Sequence, residues 1–599
     1  MIKQTKYDWP TWVLFAFAIT GLSLMTYNYL VAWEIGYSSD TALIGLMGKY
    51  ILERGERPIY VWAVGYQGLI LEAYTMAGFF SIFGVNPISI NFSSTMYLWL
   101  ALGVWACVFS RAFGARVAAL TMVATVFSVP LFYELNLRSL PNFPEALLLG
   151  GLVFLLFDHV RTKYEAKAPI EAWRIILLGI VSGFAFYTFA ITVYFLLAFS
   201  AALAVMYYRK PLGATPKTWF TSWRMPWAES QQQPNGLKKI LNKPLHRMIQ
   251  GLSVVGWLLG LSALVICFFV PEPVVFSGRL IKWNALQMLF GAAVLMLLPR
   301  AGVEVIDALK LSSLKQRMAK LFTVGWFVGY SPAILFILTG GHSNKQALAS
   351  GNWPEIKLRL WVYEEFHKAL LHFEEFWTWP FSLYFLGCMV GFCWMCWISL
   401  KKYVRSSRSL WPPTAVFCFV YVVVFVIFVI SKTVVDIVCM RYLILMVPVS
   451  ALMLSLGTHW LWIHRPKIKW LAIVGYLGIV GLGARSIYND LSIPRNLPFE
   501  AIIHEFETRG ITYGYADYWL AYASNFLSNE QIILEPTVSN YSPHYGPLVK
   551  AATRIGYVDY TPGKYPPQNG RVEIYKQTYK VLEETEVVPG IILRVLEKL

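Results

Sequence analysis

Charge is scarce in this chain, and so is cysteine. Only 14% of its 599 residues are Asp, Glu, Lys or Arg, against about 25% in ordinary soluble domains. With 57% hydrophobic residues and a mean hydropathy of +0.51, that deficit excludes a water-soluble globular protein and points to a polytopic membrane protein. The seven cysteines lie almost entirely in apolar runs, and none follows Cys439. The C-terminal tail must therefore fold without disulfides. Cys393-Trp394-Met395-Cys396 has the CxxC spacing but sits inside an apolar run, where a metal or redox site is not expected. No cleavable-signal pattern opens the sequence. The first apolar run, from Trp12 to Val31, is uncharged, long enough to cross a bilayer and without a small-residue cleavage site, so it is expected to remain as an anchor.

Acids are scarcer than bases, and the formal charge is +17. The basic residues cluster in short loops between apolar runs, which is the pattern of the positive-inside rule and not of a nucleic-acid surface. About thirteen spans are expected, near 12–32, 92–110, 116–133, 145–160, 173–189, 190–207, 251–270, 283–299, 321–339, 380–400, 412–431, 442–462 and 470–486. The run 69–84 is too short to cross and is expected to lie at the interface or re-enter. With the N-terminus in the cytoplasm, the inner segments carry more than twice the Lys and Arg of the outer loops. This N-inside orientation puts the tail outside.

The expected architecture is thus an all-α membrane domain over residues 1–486, with an outer loop at 33–91, a basic cytoplasmic loop at 208–250 and an outer loop at 340–379. An outer domain follows over 487–599. Trp219, Trp223 and Trp227 suit the cytoplasmic loop to anionic headgroups. The tail reads as a small α/β unit, with Ile511–Tyr515 and Ile532–Glu535 as strands and Asp517–Leu527 as a helix. A bacterial inner membrane is the expected location, with the tail periplasmic.

Asp40 is the most informative single residue. It follows the first span, six residues after a second acid, Glu34, and an acid beside a span end is costly unless it has a partner or a task. Two readings stand. Asp40 is a general base at the membrane–water boundary, or it caps an interfacial, amphipathic helix over 41–53. Gly55 comes fifteen residues later, then an aromatic segment with Tyr60, Trp62, Tyr66 and Gln67, and an apolar stretch closing at Phe83-Gly84.

The second outer loop, Tyr133 to Glu145, holds Glu134, Arg138 and Glu145. The acids can orient hydroxyl groups and Arg138 can pair an anion, or the three form a local ion pair that only seats the loop. Lys432 and Arg441 flank an outer turn, with Asp436 between them. Cations there either bind a lipid phosphate, for which Arg offers a matched fork, or snorkel to headgroups. In the outer loop 340–379, His342 follows Gly340-Gly341, where it can touch a phosphate. Glu364, Lys368 and His372 then alternate charge at helical spacing, which an exposed or interfacial helix explains without a metal. In the tail, Tyr513, Tyr515, Tyr518, Trp519 and Tyr522 either stack on sugar rings or fill a small core.

Asp40, the stretch after it, Gly55, the Pro58–Gln67 segment and the Ser81-Ile82-Phe83-Gly84 close resemble the family that contains bacterial lipid A aminoarabinose transferase and the protein O-mannosyltransferases. Arg441-Tyr442 followed by Pro448 is similar to a pattern that opens a late span in such proteins. The resemblance implies a GT-C fold and an inverting glycosyltransferase that moves a sugar from a polyprenyl-phosphate donor. The acceptor would be a glycan, lipid or protein on the outer face. It implies Asp40 as catalytic base, Arg441 with Lys432 or Arg138 holding the donor phosphate, and Glu34, Tyr60, Tyr66, Gln67, Glu134, Glu145 and His342 around the sugar or acceptor. No metal or other cofactor is demanded, because a phosphate held by Arg and Lys can leave without one. Two features depart from the family: Thr41 stands where many members have a second acid, and no Lys-Pro-Pro motif occurs near Gly65-Tyr66-Gln67-Gly68. No Trp-Trp-Asp run is present, against an oligosaccharyltransferase catalytic subunit. The alternative function is a transporter or flippase of a lipid-linked saccharide, which would share the cations and need no base. A further alternative is a membrane protein without catalytic activity.

Overall fold

A computed structural model describes residues 8–35, 37–62, 64–140, 142–166, 168–199, 275–276, 279–280, 314–338, 353–373, 376–405, 413–431, 434–493, 497–538, 541–561 and 563–599. Six helices among them are long and apolar enough to cross a membrane, or seven if one bent pair counts as a span. This is an integral membrane protein. The six are α1 (Trp9–Val31), α4 (Phe92–Phe113, continuous with a short 3-10 turn), α7 (Phe143–Glu165), and helices Trp379–Arg405, Met446–His464 and Lys469–Leu491. Shorter apolar helices stand where other spans are expected, among them α8 (Ala172–Thr188) and Thr414–Ile430. The expected spans 251–270 and 283–299, the end of 190–207 and the loop 208–250 lie outside the described residues.

Two expected spans are broken. The run 116–133 divides into α5 (Ala115–Val126) and α6 (Pro130–Asn136), bent by 87°. Pro130 cannot donate to the preceding turn, and Val129 before it is extended. The run 321–339 likewise divides into Leu314–Gly329 and Ser331–Leu338, with Pro332 in the first turn of the second piece. The run 69–84 forms α3 (Ile70–Phe83), 14 residues long. At about 1.5 Å per residue it spans roughly 21 Å, short of a bilayer core of about 30 Å.

Close helix approach is built from small residues. Gly179 and Gly183 on α8 face Gly325 and Gly329 on Leu314–Gly329. A Cβ added at Gly183 would lie 2.1 Å from the Trp326 carbonyl oxygen, and one at Gly329 would lie 2.0 Å from that of Ile180. Both segments read G-x-x-x-G, the spacing that lets two backbones touch inside a membrane. Next to this contact, α8 carries Tyr187, whose hydroxyl donates to the Ile59 carbonyl and so seats the hairpin of β1 (Tyr60–Val61) and β2 (Val64–Gly68).

The loop after α1 holds α2 (Ser39–Arg54), which ends on Gly55 in the left-handed conformation, φ +66°. The helix expected over 41–53 forms, and protein covers most of it. Apart from half-buried Asp40, every residue of α2 from Ser39 to Tyr50 is buried, because α3 covers one side and the tail covers another. Strands β3 (Val275–Phe276) and β4 (Arg279–Leu280) pair by themselves, and the tail forms a six-stranded mixed sheet whose order, in the strands named next, is β6-β5-β7-β10-β9-β8. Its strands are β5 (Tyr513–Ala516), β6 (Ile533–Pro536), β7 (Arg554–Tyr560), β8 (Arg571–Ile574), β9 (Gln577–Val588) and β10 (Ile591–Lys598). The parallel trio β6-β5-β7 carries helix Tyr518–Leu527, which lies against α2. One hydrophobic core joins Leu43, Leu46 and Met47 of α2 to Leu520, Ala523 and Phe526 of the tail. Gly45 allows this approach, since a Cβ there would lie 2.7 Å from the Phe526 ring.

Candidate active site

Asp40 does not cap α2. The N-cap is Ser38, and Asp40 lies in the first turn, where the helix dipole favours a negative charge. Its Oδ1 accepts a hydrogen bond of 2.5 Å from the hydroxyl of Tyr518, the first residue of the tail helix. Asp517, at the end of β5, caps that helix by accepting from the Trp519 N–H at 2.9 Å, so strand and cap together aim Tyr518. Burial, and then the nearby charge of Asp40, push the Tyr518 phenol far above its ordinary range. Tyr518 therefore stays protonated and is the donor.

Two cations converge on the same acid. Arg138 lies in the turn between α6 and α7, within Coulombic reach of Glu134, Asp40 and Arg441. Burial, joined by repulsion from Arg441, lowers its guanidinium below the ordinary value against the pull of Glu134 and Asp40. Arg441 lies in the 3-10 turn Ile437–Leu443. Burial pulls it down, but Tyr442, Asp40 and Cys439 more than offset that, and it stands above its ordinary value. Three distant segments thus place one carboxylate and two guanidinium groups within Coulombic reach of one another. Such a pair of forks suits a phosphate, and the acid suits proton abstraction beside it.

The other expected site residues divide. Glu134, half-buried on α6, joins the cluster through Arg138. Glu34 is half-buried in the turn after α1, where its carbonyl accepts from the Tyr37 N–H at 3.1 Å. Tyr60 packs its ring on Tyr187 and Phe336, and among the described contacts none links it to Asp40. Glu145 is fully buried in the first turn of α7, and neither carboxylate oxygen meets a hydrogen-bond partner among the described residues. The charge of Glu72 acts on it, and it is not among the groups that act on Arg138. Tyr66 and Gln67 lie on β2, but their side chains fall outside the described residues, as do Lys432 and His342. Among the described residues no group of three or more His, Cys, Asp or Glu is placed to hold a metal ion. On helix Trp353–Leu371 the alternating charges pair locally, with Lys368 at 2.9 Å from both Glu364 and Glu365.

Three features escaped the sequence reading. Tyr518 stood out only as one aromatic among several. Glu72, a lone acid in an apolar run, was a signal passed over; it is fully buried and hydrogen-bonded to the Arg138 turn. Lys49 and Tyr50 of α2 both donate to Glu530 of the tail, Lys49 at 2.7 Å. Glu530 sits at φ +63° and also accepts from Tyr545 at 3.1 Å. Most of the tail aromatics fill its core, as one of the two readings held: Tyr515 and Tyr522 are buried, and Trp519 alone of the first helical turn is exposed.

No protein-family profile matches the chain, and no curated protein matches it. Solved structures are similar in arrangement. They include the crystal structure of ArnT from Cupriavidus metallidurans bound to undecaprenyl phosphate, at 12% identity over 97% of this chain and 98% of that chain, with a TM-score of 0.44. The Archaeoglobus fulgidus oligosaccharyltransferase tethered with an acceptor peptide is similar at 11% identity over 90% of this chain and 69% of that one, with a TM-score of 0.43. ArnT from Cupriavidus metallidurans in the apo state follows at 14% identity, 96% and 98% coverage, and a TM-score of 0.34. At these TM-scores the likeness is loose, and the residue roles below rest on this chain's own geometry.

Proposed function

We propose that this protein is an inverting membrane glycosyltransferase that takes its sugar from a polyprenyl-phosphate donor. What supports the reading is that Asp40, Arg138 and Arg441 lie within Coulombic reach of one another. The acceptor hydroxyl attacks the anomeric carbon, the bond from that carbon to the phosphate oxygen breaks, and polyprenyl phosphate leaves. Asp40 takes the hydroxyl proton. Arg138 and Arg441 neutralise the charge gathering on the leaving phosphate, and Lys432 is proposed beside them. Glu134, bound electrostatically to Arg138, orients sugar hydroxyls. Tyr518 holds one oxygen of Asp40 and leaves the other for the acceptor, a glycan, lipid or protein. The setting is a bacterial inner membrane, with the N-terminus cytoplasmic and the tail periplasmic.

The test is single-turnover release of polyprenyl phosphate from a panel of radiolabelled polyprenyl-phosphate sugars, with wild type and Asp40→Asn side by side. Transfer by wild type and its loss in a folded Asp40→Asn supports the reading. Tight lipid binding by both proteins without turnover of any donor overturns it and leaves a carrier of lipid-linked saccharides.

A further inference from the structure

Glu72 lies outside the catalytic cluster, yet it grips the segment from which Arg138 hangs. It is fully buried on α3. Its Oε1 accepts from the Ser139 hydroxyl at 2.5 Å and the Ser94 hydroxyl at 3.2 Å, and its Oε2 accepts from the Asn142 N–H at 3.2 Å. The Ser139 N–H, one residue after Arg138, donates to Asn91 Oδ1 at 3.0 Å. The turn is tight: the Leu140 N–H donates to the Arg138 carbonyl at 2.7 Å, and Asn142 sits at φ +72°. Both ends of Ser139–Asn142 are thus tied to the loop that carries Asp40. The buried Nε of Arg138 finds no hydrogen-bond partner among the described residues, while Glu134 and Asp40 attract its charge. The backbone held by Glu72 and Asn91 is the base from which that side chain reaches them.

We propose that Glu72 is a positioning residue: through Ser139 and Asn142 it fixes Arg138 at the distance from Arg441 that a lipid-linked phosphate requires. Burying a carboxyl group is unfavourable unless its lone pairs are used, and here every described hydrogen bond of Glu72 beyond Ser94 goes to the Arg138 turn. Burial raises the Glu72 carboxyl above its ordinary range, while the bonds from Ser139, Asn142 and Ser94 act against that rise. This inference rests on the phosphate-binding reading of Arg138.

The experiment measures affinity of the purified full chain for undecaprenyl phosphate in Glu72→Gln, Ser139→Ala, Arg138→Ala and the double variant Glu72→Gln/Arg138→Ala. Glu72→Gln removes the carboxylate charge and keeps one oxygen for the Asn142 N–H, with an NH2 group in place of the acceptor of the Ser139 and Ser94 hydroxyls; it is expected to weaken binding about tenfold, the scale of one charge-assisted hydrogen bond. The double variant is expected to bind no more weakly than Arg138→Ala alone, because both changes remove the same contact. Ser139→Ala, which deletes one hydroxyl, is expected to weaken binding in a chain that still folds, and it carries the test if Glu72→Gln does not fold. Wild-type affinity in Glu72→Gln or Ser139→Ala, or losses that add in the double variant, overturn the positioning role while Arg138 keeps its own. Wild-type affinity in Arg138→Ala overturns the phosphate reading itself, whatever Glu72 does.

Discussion

Tyr518 and Asp40 share a hydrogen bond across 478 positions of sequence. The acid comes from the loop after the first span, and the phenol from the first turn of a helix in the tail. The tail therefore reaches the candidate site. Tyr518→Phe is expected to lower kcat about tenfold, the scale of one hydrogen bond of about 1.4 kcal/mol that no longer orients the base. The KM for donor should stay near wild type, because Tyr518 faces Asp40 and not the cations. Steady-state kinetics separate the two parameters.

Arg138→Ala and Arg441→Ala are each expected to weaken donor binding by roughly 10- to 100-fold, from about 1.5–3 kcal/mol per charge-assisted contact. Lys in place of Arg441 should restore only part, since an ammonium lacks the planar fork. Isothermal titration with undecaprenyl phosphate checks this, and the affinity of both variants should lose part of its salt dependence.

The glycine contact between α8 and Leu314–Gly329 predicts a stability effect far from the chemistry. Gly183→Leu drives a side chain into the Trp326 carbonyl and should destabilise by about 1–3 kcal/mol or more. Gly391→Leu is the control, since a Cβ there meets nothing within 4 Å. Melting in detergent, followed by size-exclusion chromatography, should show a lower midpoint for Gly183→Leu alone.

His372 predicts a pH dependence of stability. It is buried at φ +57° after helix Trp353–Leu371, and burial pushes its imidazole down to about 4 from an ordinary 6.5. The native state then binds fewer protons than the unfolded state between those values. The stabilisation is complete above pH 6.5 and is lost as pH falls toward about 4, with an upper size of about 3 kcal/mol. His372→Asn, which tolerates a positive φ, should flatten the fall. Melting temperatures measured from pH 7 to pH 4 read it directly.

Glu530 predicts how the tail is held. Removing it leaves buried Lys49 with the Asn529 carbonyl and the more distant, exposed carboxylate of Glu53 at 4.0 Å. Breaking a buried pair from one side costs about 3–5 kcal/mol. Glu530→Ala should loosen the tail from α2, seen as faster limited proteolysis within 497–538, whereas adding Lys49→Met should recover only the part due to the buried ammonium, since the Tyr50 and Tyr545 hydroxyls still lack their acceptor.

Long apolar runs announced the spans, and they were legible because lipid offers backbone groups no partner and forces whole helices. The breaks at Pro130 and Pro332 were less so, since hydropathy averages over a window and a proline adds little to it. Tail elements were legible to within two residues at Tyr513–Ala516, Tyr518–Leu527 and Ile533–Pro536, where alternation and the Asp517 cap leave local marks. The burial of α2 was illegible, because its covering face comes from residues hundreds of positions away.

Residence in the membrane and the α/β grammar of the tail follow from composition and local pattern, which act within a few turns of chain. So does the presence of an acid beside the first span. Which groups meet that acid is another matter. Arg138, Arg441 and Tyr518 each lie next to other charges or aromatics in sequence, and only packing chose them from those neighbours. Glu72 acquired its partners the same way, when α3 folded against the turn before α7 and a carboxyl group shut away from water took the hydrogen bonds within reach.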